Sequence, residues 1–221
     1  MILFLGLVLT MVCAVAVSSC KGCAKSEKQD VQPVSLYHDY DGVVQDFTAG
    51  TAHIQAMHRQ TIYQLVEGGE YEWRNSRVVF NEAVTYENID HLHVTDVNDV
   101  FCYWNEQGPW VQMINSNVKK GLQIAWPIQD VWIEDDNLSD QPIKLSCEDA
   151  LQRLKEWNGV LPKDCNFITL RLPVGPKECN PQWTFGDTYD VLFIDAVTGE
   201  VKDSNPAFGK PTIEKPLGEW S

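Results

Sequence analysis

"VLFIDAVTGEVKD", Val191 to Asp203, decides how the last third of this chain is read. The apolar run Val191–Ile194 has strand character, and Glu200 to Lys202 begins a return strand. Between them lie turn formers. The Asp195 carboxylate suits backbone N–H groups across a turn, and the Thr198 hydroxyl does the same more weakly. Gly199 supplies the positive φ that a short hairpin needs. No base, nucleophile or metal partner is required. Asp195, Thr198, Gly199 and Glu200 therefore read as a structural turn, and no catalytic residue is assigned.

The flanks extend this hairpin into a unit spanning 143–203. Ser146 is a helix N-cap, with Asp149 three residues on as its capping-box partner. Glu148 and Asp149 sit where the helix dipole favours negative charge. Ala150, Leu151, Leu154 and Trp157 make one apolar stripe, and Asn158-Gly159 stops the helix. A strand follows, with Ile168, Leu170 and Leu172 on one side and Thr169 and Arg171 on the other. Trp183 to Phe185 is a short strand or loop. The tail, 204–221, holds three prolines and reads as extended.

That order bears on the cysteines, which number seven: Cys13, Cys20, Cys23, Cys102, Cys147, Cys165 and Cys179. If the strand after the helix runs back beside it, the loop around Cys179 returns to the helix start near Cys147. Cys147 with Cys179 is the disulfide expected if one forms; buried thiols are the alternative.

Upstream, Thr51 to Val66 reads as a helix, with Ile54, Met57, Thr61, Ile62 and Leu65 at three- and four-residue steps. Strand signals follow. Tyr71–Arg74 and Arg77–Phe80 flank Asn75-Ser76 as a tight hairpin, and His93–Val97, Val100–Trp104 and Trp110–Ile114 come next. This block, 46–126, is a second helix-plus-strand unit. An acidic connector, 127–142, joins the two. From Glu82 to Asp140 there are eleven Asp or Glu against two Lys, but without the spacing of a calcium loop. The class is α+β, with two small helix-plus-antiparallel-sheet units.

The N-terminus is of another kind. The first nineteen residues carry no charged side chain, and Ile2 to Val17 is a nearly unbroken apolar run. It is short for a membrane span, which wants about 20 residues, and it matches the core of a secretory signal. Val17-Ser18-Ser19-Cys20 resembles the bacterial lipobox, which implies cleavage of 1–19 and lipid on Cys20. Ordinary secretion with cleavage after Ala14-Val15-Ala16, an uncleaved anchor, and lipid on Cys23 are the alternatives. Residues 20–45 read as a flexible tether.

Helix 146–157, strand 167–172 and "YDVLFIDAVTGEV" together resemble the PepSY domain, a small α+β module of exported and membrane-bound bacterial proteins. Asp195, Thr198, Gly199, Glu200 and Val201 carry the resemblance, with "CEDALQRL" at the helix start. It implies a role in binding or restraining a peptidase, and it brings no catalytic residues.

The remaining candidates are weaker. On one strand, His91 and His93 would share a face, as a metal pair does, with His53, His58 or Asp90 as a conceivable third ligand. Trp104 and Trp110 flank the Gly108-Pro109 turn and would suit a recognition surface. Neither G-x-S-x-G nor G-x-x-x-x-G-K occurs. A formal charge of −14 argues against a nucleic-acid partner, since phosphates call for Lys and Arg. The expectation is a lipid-anchored, non-enzymatic binding or regulatory protein of the bacterial cell envelope, without a cofactor, acting on an envelope protein such as a peptidase. A structural envelope lipoprotein and a metal-dependent hydrolase built on His91/His93 are the rivals.

Overall fold

The computed structural model describes residues 37–39, 46–130, 137–173, 179–186 and 191–203. The expected signal peptide 1–19, Cys20, Cys23 and the tail 204–221 lie outside the described residues. The described residues belong to one compact unit.

Among the described residues nine strands build a single sheet, and every neighbouring pair in it is antiparallel. In chain order they are β1 (Tyr37–Asp39), β2 (Tyr71–Phe80), β3 (Val94–Asn105), β4 (Gly108–Asn117), β5 (Gly121–Ala125), β6 (Phe167–Arg171), β7 (Gln182–Gly186), β8 (Val191–Asp195) and β9 (Val201–Lys202). Among the described residues the two α-helices are α1 (Thr51–Leu65) and α2 (Cys147–Trp157). The spatial order is β1-β5-β4-β3-β2-β6-β7-β8-β9.

The α+β class expected from the sequence is the one observed. The two expected units are not separate, however. β2 pairs with β6 from Ser76↔Leu170 to Val79↔Phe167, so the blocks 46–126 and 143–203 share one ladder. The seam continues past the strands, where Phe80 N–H donates to Asn166 O and Val84 N–H to Cys165 O, both at 2.8 Å. The helices meet as well. Glu148, in the first turn of α2, accepts from Thr51 N–H and Thr51 Oγ1, each at 2.9 Å. It thereby caps α1, whose own N-cap is Gly50 and has no side chain to offer.

Four local expectations change. Asn75-Ser76 is not a hairpin but the middle of the ten-residue β2, which carries a bulge between Trp73 and Asn75. The bulge resets the alternation so that Ser76 points inward. His93–Val97 and Val100–Trp104 are parts of one long β3. Tyr37–Asp39, inside the expected tether, pairs with β5. The connector is also partly packed: Leu138 is buried, and its N–H donates to Trp73 O at 2.7 Å.

Both helices lie on one face of the sheet. That face presents Trp73, Val78, Val97, Phe101, Ile114, Ile168, Leu170, Trp183, Phe185 and Ile194, all fully or almost fully buried in one core. The period-two alternation of these strands leaves the other face half-buried, with Asp96, Asn98 and Val100 on β3, Met113 and Asn117 on β4, and Phe167, Thr169 and Arg171 on β6. α2 begins at Cys147 with both hydrogen bonds of the Ser146–Asp149 capping box, and it ends on Asn158 at a left-handed φ of 52°.

Candidate functional site

The Asp195 turn is fully assembled. Asp195 Oδ1 accepts from Val197 N–H and Thr198 N–H, both at 2.8 Å. Asn180 Nδ2 donates to both carboxylate oxygens, at 2.9 and 3.2 Å. Gly199 has φ 78°, and a Cβ there would lie 2.8 Å from Arg153 Nε. Asp195 N–H donates to Glu200 O and Gly199 N–H to Asp195 O, both at 2.9 Å, and Glu200 N–H reaches Thr198 Oγ1 at 3.3 Å. Next door, Ala196 O accepts from Lys144 and Leu145 N–H, tying the turn to the entrance of α2. Backbone N–H groups and the Asn180 amide occupy the carboxylate and leave little of it for chemistry.

Partial burial works to raise the Asp195 pKa. The bonds from Asn180, Thr198 and Val197 outweigh it and hold the carboxyl below its ordinary value. A depressed folded-state value means the stabilisation is complete above the unfolded value, about 3.9, and is lost as pH falls through the lower folded value. Asp195→Ala is expected to cost about 1–3 kcal/mol at neutral pH, and the gap to the parent should narrow below about pH 4. Urea melts at pH 7 and pH 3 measure it.

A second constellation escapes sequence reading. His58, on α1, places Nδ1 2.7 Å from Asp99 Oδ2 of β3 and Nε2 2.6 Å from Ser116 Oγ of β4. A carboxylate only accepts, so Nδ1 is the donor in the first contact. Trp73 Nε1 donates to Asp99 Oδ1 at 3.3 Å and to Asn75 O at 3.1 Å. Gln55 Nε2, three residues before His58 on α1, donates to Ser76 Oγ at 2.7 Å. Hydroxyl, imidazole and carboxylate stand in the order of a hydrolytic triad.

Access decides its role. His58, Asp99 and Ser116 are each 0 % exposed. The cover over Ser116 includes α1, the element that carries His58. Lifting α1 to admit a substrate would remove the base from the nucleophile. The set works as a polar pin that fixes α1 on the sheet, with its partners satisfied inside the core. A signal for it does exist in the sequence. Ile54, His58 and Ile62 recur every four residues, Asp99 alternates with Val97 and Phe101, and Ser116 alternates with Ile114.

The other candidates fall apart in space. His91 lies in a turn and His93 in the loop before β3, both exposed, so they do not share a strand face. Among the described residues, no group of three or more His, Cys, Asp or Glu side chains is placed to hold a metal. Cys147 and Cys179 stand as separate thiols. The first turn of α2 aims Cys147 into the core, while Cys179 stays half-buried on the approach to β7. Burial, with Glu148 adding to it, pushes the Cys147 thiol well above its usual pKa and keeps it unreactive.

The Trp104–Trp110 region opens outward. Trp104 pairs with Pro109 and Tyr103 with Trp110 across the β3–β4 hairpin, and Trp110 Nε1 donates to Asn105 Oδ1 at 3.0 Å. Beyond β5 the chain stays alongside β4 through the Val111↔Ile128 bridge. Three large apolar side chains are exposed here: Trp104 (55 %), Trp126 (61 %) and Ile128 (53 %).

No protein-family model matches the chain, no curated protein matches it, and no solved structure matches it. Among the described residues, no helix is long and apolar enough to cross a membrane.

Proposed function

We propose that this is a non-enzymatic recognition protein of the bacterial cell envelope, held to a membrane by lipid on Cys20 and docking an envelope protein, with a peptidase as the partner that the PepSY resemblance suggests. The observation that carries recognition is the exposed Trp104, Trp126 and Ile128 at one end of a sheet whose other aromatic residues are largely packed inward. Large aromatic side chains in water cost solubility and are the residue types that anchor protein interfaces. The burial of His58, Asp99 and Ser116 supports binding over hydrolysis. The envelope assignment rests on the apolar leader and on Val17-Ser18-Ser19-Cys20.

The test uses the full chain as bait in an envelope extract, beside a Trp104→Ala, Trp126→Ala double variant. The expected result is a retained envelope protein whose capture falls at least about tenfold in the double variant, as loss of two interface anchors implies. A retained peptidase whose rate changes on binding would identify the regulated partner. Retention that ignores both tryptophans would overturn the reading. Cys20→Ala should move the protein out of the membrane fraction.

A further inference from the structure

We infer that the partner presents a basic, arginine- or lysine-bearing segment to the aromatic end of the sheet; this rests on the recognition reading above and names its chemistry. β3 ends at Asn105, β4 starts at Gly108, β5 ends at Ala125 and β2 starts at Tyr71, opposite Tyr103, so these four termini share one end of the sheet. α1 finishes at Leu65, five residues before β2. Five of the seven large apolar side chains exposed among the described residues belong to these segments: Tyr63, Leu65, Trp104, Trp126 and Ile128.

The exposed charge of these segments is acidic, and the neighbouring cation, half-buried Arg59, is stacked on Trp73. Glu67 and Glu70 in the α1–β2 loop, Glu106 in the hairpin turn and Asp130 after Ile128 are all exposed carboxylates. No Lys or Arg occurs in 60–73, 103–112 or 125–130. The lysines of this half, Lys119 and Lys120, sit at the opposite end of β4, in its turn to β5. Arg74, the basic residue of β2 nearest this end, is ion-paired with Glu72.

A surface of indole faces rimmed by carboxylates suits cations. A guanidinium or ammonium stacks on the ring, its aliphatic stem covers the apolar flank, and the acids draw it in from a distance. The protein already makes such contacts internally: the Arg59 guanidinium lies 4.9 Å from the centre of the Trp73 ring, and that of Arg77 lies 3.8 Å from the centre of the Phe167 ring. The same charge disfavours an anionic lipid surface or a nucleic acid. Trp104 is the anchor of the site, being exposed on the last turnward stretch of β3.

The probe is a short synthetic peptide alternating Arg with Leu, titrated into the full chain, beside the same peptide with Glu in place of Arg. The Arg peptide should bind, with an affinity that falls as salt is raised and drops about tenfold in Trp104→Ala. Glu70→Gln combined with Glu106→Gln should weaken it further while leaving the fold intact, since both positions are exposed. Equal binding of the Glu peptide, or an unchanged affinity in Trp104→Ala, would overturn the inference. So would a dimer dissolved by Trp104→Ala, because the occupant would then be a second copy, and so would the absence of binding until the chain's own Lys21, Lys25 and Lys28 are replaced by Gln, because the tether would then be the occupant. Failure of the peptide while Trp104-dependent capture persists rejects the basic chemistry alone; failure of both rejects the recognition reading.

Discussion

Asp99→Ala is expected to destabilise the protein by about 3–5 kcal/mol, a large share of the 5–15 kcal/mol that holds a typical domain. The carboxylate accepts from His58 Nδ1 and from Trp73 Nε1, and all three side chains are enclosed. Truncation leaves two buried donors facing a void that water cannot fill without rearrangement, and such groups carry their desolvation penalty in full. Ser116→Ala should cost less, about 1–3 kcal/mol, because it leaves only His58 Nε2 without its partner. Chemical denaturation of both variants checks the ranking. A Ser116→Ala loss equal to that of Asp99→Ala would show that the carboxylate is not the hub of the network. In the same experiment a fluorophosphonate probe should leave native Ser116 unlabelled, and labelling that depends on His58 would overturn the structural reading of the triad.

Trp183→Ala is expected to cost about 3–5 kcal/mol and to do so in a single shared transition. Trp183 is fully buried on β7, between Leu170 of β6 and Ile194 of β8, and its indole N–H donates to Leu145 O at 3.0 Å. Its removal opens a cavity between the sheet and the segment that leads into α2. The reach of the damage is the informative part. Because β6 pairs with β2, loosening β7 should lower the protection of β3 and β4 amides together with that of β8. Hydrogen exchange read strand by strand measures this. Protection of β3–β4 that survives while β8 exchanges freely would mean that the two halves are independent, as the sequence suggests, and that the β2–β6 ladder contributes little.

The two halves show where sequence reading succeeds and where it stops. The Ser146–Asp149 box, the Asn158 stop and the Asp195–Thr198–Gly199 turn each close hydrogen bonds within a few residues, so the local sequence contains both partners. The β2 region misleads for the same local reason. Asn75-Ser76 has turn chemistry, yet Ser76 is held in a strand by Gln55 of α1, Asp99 of β3 across the ladder and Leu170 of β6 on the other side.

Helix and strand periodicity, the capped α2 and the hairpin at Asp195 were therefore legible before any coordinates, because they follow from side-chain spacing and from bonds that span one turn. The β2–β6 seam, the cap that Glu148 places on α1, and the meeting of His58 with Asp99 and Ser116 were not, since their partners stand 97, 41 and 58 residues apart for the last three contacts. Spacing assigns a residue to a face. Which faces and edges then meet depends on how the whole chain buries its apolar surface, and that choice brought the buried polar groups together and left Trp104, Trp126 and Ile128 in water.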